Sequence, residues 1–401
     1  MKKALVLSIS LVLFGSALSP QAFASVKPGN KCSAQGLTKN WQGKKYTCIK
    51  SGKKLIWNLG VTRSKSASQP SPPPSQSVAP SSSPAPQEQP KESPRFERVA
   101  AVGIDDLYAK SVYDRSRQEV NDAIEKSNYV NTFLNFNIGP NQNPAVVSAE
   151  KDSLNKAARL WSSVYQPKEQ LEVLFYNFVD LGWAKARYTQ LTGAESFHSS
   201  ASCSKNYCGN ASAGKTGNGP WIYEQGLGGS LWNKSTSAHE YTHLAQTSGN
   251  SNYWSIAPLW LVEGMAQFYG EAIGYAPFDA KLITRGEMHR QYCLDFVEAK
   301  QGDMKTLLEK NNVSTVKTLM ASIEFPNPRH QQGLTAAAYL LGSYASEVLV
   351  AVYGHSSVEQ FILSFSNSMD WKSNFYKNFG ITPDDFYAKL TPYLYQMSKE
   401  L

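Results

Sequence analysis

Apolar positions recur at helical spacing over Asp105–Ser127 and again over Val146–Tyr165, which predicts two amphipathic helices. Leu171–Asn177 (LEVLFYN) is a short, mostly apolar run and predicts a buried strand. Asp180–Gln190 returns to helical spacing. The Gly/Ser/Asn-rich stretch Ser199–Gly219 predicts a surface loop, and Pro220–Gln225 (PWIYEQ) predicts a second strand. Beyond Lys234 the pattern is helical almost to the end. The expected class is α+β, a small mixed sheet lobe followed by a helical lobe, with residues 97–168 as an accessory helical cover.

The N-terminal pattern is different. Lys2 and Lys3 precede an apolar run, Ala4 to Leu18, and Ala22-Phe23-Ala24 fits a small-x-small cleavage site. Residues 1–24 therefore read as an export signal, with Ser25 as the first mature residue. No Cys follows the run to carry a lipid, and no later stretch is expected to span a membrane. The expectation is a secreted or cell-wall-associated protein, soluble after signal cleavage.

Residues 25–61 form a small island. Two strand-like runs, Lys45–Ile49 and Lys54–Asn58, flank Ser51-Gly52, a hairpin signal. Residues 26–60 hold eight Lys and no acidic residue, so a basic face with exposed aromatics (Trp41, Tyr46, Trp57) is expected. Such a face suits an anionic polymer of the cell wall, or the unit is a plain spacer. In residues 64–94 Ser and Pro fill 19 of 31 positions, too few apolar groups to build a core, so residues 62–95 are expected to be a disordered linker. Residues 96–401 are then one large domain.

Composition narrows the class. Hydrophobic residues are 41% and charged residues 18% of 401, which excludes a wholly disordered or collagenous chain. The net charge of +8 is uneven: residues 1–95 carry 14 basic and 2 acidic residues, residues 97–401 carry 26 and 30. The large domain is mildly acidic, so nucleic acid is not an expected partner. Of five cysteines, Cys32 with Cys48 and Cys203 with Cys208 are close enough to pair in an oxidising compartment, leaving Cys293 over.

The informative segment is HEYTH, His239 to His243. Two His four apart lie on one helix face, one turn apart, where both imidazoles can hold one Zn²⁺. Glu240 lies about 100° round the helix, where a carboxylate can act as general base on a water. That role needs the helix to start near Asn233; a start at Ser237 would draw Glu240 into a capping box. Catalytic zinc takes three protein ligands. Glu263, in WLVEGMAQF (Trp260–Phe268), is the candidate third, because an acid inside an apolar run needs a partner. Asn250–Pro258 has turn chemistry, so the chain can reverse between the two segments.

HEYTH followed by WLVEGMAQF resembles the gluzincin group of zinc metallopeptidases, most nearly its M1-like members. The resemblance implies a gluzincin-type domain with one Zn²⁺ on His239, His243 and Glu263, and Glu240 as general base and proton shuttle. Tyr339-Leu-Leu-Gly342 is similar to the Y-x-x-G helix of those enzymes, which implies that the Tyr339 hydroxyl stabilises the oxyanion. His330 is a second candidate for that role. The aminopeptidase G-x-M-E-N motif is absent. Pro220–Gln225 stands nearest to its place and is expected as the sheet edge that pairs with substrate backbone. Gln267, one turn past Glu263, is a candidate to hydrogen-bond a ligand.

The expected function is a secreted zinc metallopeptidase hydrolysing a protein or peptide substrate. The rivals are an inactive cell-surface binding protein on the same fold and a metal-dependent hydrolase of a non-peptide amide.

Overall fold

In the computed structural model the chain divides into two compact units, Ala17–Phe96 and Met1–Ser16 with Glu97–Leu401. The residues described are 31, 38–41, 44–51, 54–58, 61–62, 99–193, 203–204, 207–208, 211–215, 221–226, 235–274, 285–324 and 332–401. Residues 1–24, expected from sequence to be an export signal, the Ser/Pro-rich segment, Cys32 and His330 lie outside them.

The smaller unit contains β1 (Thr38–Trp41), β2 (Lys44–Ser51), β3 (Lys54–Trp57) and β4 (Val61–Thr62), all paired antiparallel through β2. The β2–β3 hairpin closes at Ser51 opposite Lys54. Tyr46 and Cys48 alternate onto one face of β2, and Trp57 pairs directly across from Cys48. These three are buried together. Tyr46 and Trp57 are therefore the unit's core and not the exposed aromatics expected from sequence; a sheet this small has few other side chains to bury. The outward Ile49 stays 41% exposed.

In the larger unit α1 (Ala109–Lys126), β5 (Leu134–Ile138), α2 (Pro144–Leu160), β6 (Leu171–Tyr176) and α3 (Leu181–Thr192) follow in order. Next come β7 (Cys203–Ser204), β8 (Tyr207–Cys208), β9 (Ala211–Lys215) and β10 (Trp221–Gly226). The main sheet runs β5-β6-β10-β9, with β5, β6 and β10 parallel and β9 antiparallel. It is thus a small mixed sheet in a helix-rich α+β unit. Asn143 caps α2, accepting from the Ala145 N–H, and Pro144 presets its first turn. That helix is the crossover that parallel β5 and β6 require.

Three sequence expectations are corrected here. The supposed loop 199–219 carries the β7–β8 hairpin, which sets Cys203 opposite Cys208, and the strand β9. The strand Trp221–Gly226 is interior, flanked by β6 and β9, so β9 is the edge. Residues 97–168 are no accessory cover: β5 belongs to the sheet, and Val112, Val120, Leu154 and Ala157 are in the main core.

The rest is helical among the described residues. It comprises α4 (Thr236–Ser248), α5 (Tyr253–Ile256), a π-helical turn (Trp260–Gly264), α6 (Met265–Gly274) and α7 (Arg285–Glu298). Then follow α8 (Met304–Glu309), α9 (Val313–Ser322), α10 (Gln332–Tyr353), α11 (His355–Ser364), α12 (Trp371–Phe379) and α13 (Pro383–Met397). Gly333–Tyr353 is long and apolar enough to cross a membrane, contrary to expectation, yet 89% of that window is buried. It is the central core helix. Its one acid, Glu347, is held by Arg117 at 2.6 Å and by the Tyr393 hydroxyl at 2.5 Å.

Candidate metal centre

Helix α4 lies behind the sheet. Trp161 Nε1 donates to Thr242 Oγ1 at 3.0 Å, and Ser237 Oγ donates to Gln225 Oε1 at 2.9 Å. These bonds tie α4 to the end of α2 and to β10. The helix begins at Thr236, later than the expected Asn233, and Ser237 faces β10 instead of capping. Glu240 is past the first turn and not at the third helical position, where a capping box would need it.

His239 and His243 project from one face of α4 as the four-residue spacing requires. Their Nε2 atoms are 3.0 Å apart. Glu263 Oε2, from the π-helical turn, lies 3.6 Å from His239 Nε2 and 3.5 Å from His243 Nε2. All three side chains are buried, and they are the one group of metal-ligand type found among the described residues.

The triangle can be tested against an ion. A tetrahedral ion bound at about 2.0–2.1 Å sets its ligand atoms about 3.3–3.4 Å apart. Sides of 3.0, 3.5 and 3.6 Å bracket that value. Glu263 Oε2 is also buried and makes no hydrogen bond of ordinary geometry among the described residues, which a cation would compensate. The three residues fit a small divalent ion held by two nitrogens and one oxygen.

The electrostatics point the same way. Burial pushes the Glu263 carboxyl up, but the two imidazoles outweigh it and hold the group well below the usual carboxylate range. Burial lowers His239 below the ordinary histidine value despite Glu263. At His243 burial also acts downward, but Glu263 raises the imidazole above that value.

Glu240 is buried, and its charge reaches Tyr223, His243 and Tyr339. Tyr339 on α10 stacks on His239, ring centroids 5.7 Å apart and 11° between planes. Its hydroxyl is buried with no hydrogen bond among the described residues. Burial, then the Glu263 carboxylate, drives this phenol well above its ordinary value, so it remains a proton donor. The sequence candidates His239, Glu240, His243, Glu263 and Tyr339 thus meet in one place. Gln267 does not join them as a ligand partner: its Nε2 donates to Glu271 Oε1 at 2.8 Å, which also meets His289 Nε2 at 2.9 Å.

Three neighbours were not foreseen. Trp254 packs on the His243 ring at 4.5 Å between centroids, and Tyr292 stacks on Tyr339 at 5.4 Å. Gln246 bonds His243 Nδ1 at 2.9 Å; its signal was its place three residues beyond His243, on the same helix face.

Comparison of the chain with protein-family models, with curated proteins and with solved structures finds no match in any of the three. What the site does must be argued from its own chemistry.

Proposed function

We propose that the large unit is a zinc-dependent hydrolase of the gluzincin type, acting on peptide bonds. The observation that carries this is the convergence of His239, His243 and Glu263 on one point, beside a buried carboxylate and a buried phenol. A Zn²⁺ held by the three would act as a Lewis acid towards a water and a substrate carbonyl.

The chain's own residues supply the rest. Glu240 accepts a proton from the water whose oxygen bonds to the carbonyl carbon. The Tyr339 O–H donates to the carbonyl oxygen as negative charge develops there. Glu240 then delivers the proton to the leaving nitrogen as the C–N bond breaks. Tyr339 is fit for this because burial and the Glu263 carboxylate beside it keep its hydroxyl protonated.

The test is hydrolysis of casein and a peptide library by the purified full chain, with Glu240→Gln as control. Cleavage is expected, falling about 10²–10⁴-fold in the variant. Equal rates for the two proteins would refute this assignment of Glu240. Turnover of non-peptide amides alone would redirect the substrate class, and zinc binding without any turnover would favour the binding-protein reading.

The expected export signal, the acid-free lysine-rich residues 26–60 and the Ser/Pro-rich residues 64–94 support a protein released from the cell and retained at an anionic wall polymer. The attachment is expected to weaken steeply with added salt. Sedimentation with an anionic polymer at low and high salt measures it.

A further inference from the structure

The amide of Gln246 is buried and fully committed. Its Nε2 is 3.1 Å from the Leu261 carbonyl oxygen and 3.0 Å from that of Val262. Carbonyl oxygens only accept, so the amide nitrogen must lie on that side and Oε1 on the other. Oε1 faces His243 Nδ1 at 2.9 Å and can itself only accept. His243 therefore carries a proton on Nδ1, and whenever the ring is neutral its lone pair is at Nε2. That is the atom facing His239 Nε2 and Glu263 Oε2.

The two carbonyls that orient the amide belong to the π-helical turn that carries Glu263. Such a turn interrupts the regular helix ladder and lets a side chain bond into it. Gln246 thus touches both ligand-bearing segments, His243 on α4 and the turn one residue before Glu263. We propose that Gln246 is the positioning residue of the metal site: it fixes His243 as an Nε2 ligand and clamps α4 to the turn that presents Glu263. The inference rests on the metal site proposed above and adds a residue that the two ligand motifs do not contain.

The experiment uses the full chain in two states. Long-range ¹H–¹⁵N spectra of the metal-free protein report the tautomer of each histidine, and chelator competition reports zinc affinity. The wild type is expected to show His243 with its proton on Nδ1. Gln246→Leu should lose that tautomer preference and bind zinc about 10–100-fold more weakly. Gln246→Glu keeps an acceptor for Nδ1–H, so it should restore the tautomer and most of the affinity even if it melts earlier. Thr242→Val breaks a buried hydrogen bond in the same helix without touching His243, and should lower the melting temperature while leaving both readouts at wild-type values.

Unchanged tautomer and affinity in Gln246→Leu would overturn the inference, as would an equal loss in Thr242→Val. A wild-type chain that binds no zinc would overturn the metal site itself. Zinc binding that ignores Gln246 would overturn only the role of Gln246.

Discussion

Gly342 on α10 and Gly264 in the π-helical turn touch backbone to backbone. A Cβ on Gly264 would lie 2.3 Å from the Cα of Gly342, and one on Gly342 would lie 2.4 Å from the Trp260 carbonyl oxygen. No side chain fits at either position. Glu263 directly precedes one of these glycines and Tyr339 lies one turn before the other, so their contact sets the distance between the Glu263 carboxylate and the phenol.

Gly342→Ala must push the two segments apart, because the atoms it meets are backbone. The expected cost is about 1–3 kcal/mol, as for other overpacked sites, read from denaturant melts. Hydrolysis and zinc affinity should fall as well, since Tyr339 and Glu263 separate. A variant with the wild-type melt and full activity would show that the glycine contact is not what aligns the site.

Tyr339→Phe separates a functional phenol from a structural one. The hydroxyl is buried and makes no hydrogen bond of ordinary geometry among the described residues, so removing it should leave stability close to the wild-type level. The rate should fall about 10²–10³-fold, the usual cost of one oxyanion donor, with zinc retained. A stability loss with an unchanged rate would return Tyr339 to the core.

Acid should weaken a contact outside the candidate metal site. Glu359 on α11 lies 3.4 Å from His355 Nε2 and accepts from Ser163 Oγ. Burial pushes its carboxyl up, but His355 and Ser163 outweigh that, and it sits below the ordinary value of 4.5. A carboxyl depressed on folding stabilises the native state above its unfolded pKa, and that contribution is lost as pH falls through the folded value. Glu359→Gln should therefore lower the urea midpoint of the metal-free chain at pH 7, and the gap from wild type should narrow at pH 3. An equal gap at both pH values would contradict this.

What the sequence disclosed and what it hid have physical causes. HEYTH and WLVEG were legible because their chemistry depends on spacing along a helix and on the cost of burying an acid. The run at 171–176 was legible because a strand covered on both faces is mostly apolar, here broken only by Glu172. Leu134–Ile138 was not. Its alternate positions are Asn135 and Asn137, poor strand formers, which become tolerable only because both donate to Glu172 on the next strand. Ala211–Lys215 (ASAGK) has no strand signal of its own and is drawn in by the open edge of β10. Gln246 and the π-helical turn stayed hidden together, since the amide that identifies one is what bonds into the other. Trp254 and Tyr292 reach the site only through tertiary packing.

Zinc content of the purified full chain tests the central claim most directly. One zinc per chain is expected in the wild type, with loss of that stoichiometry in Glu263→Ala and in His243→Ala while both variants still fold. A folded wild-type chain that retains no zinc after dialysis against micromolar Zn²⁺, or a Glu263→Ala variant that holds it as tightly as the wild type, would contradict the account.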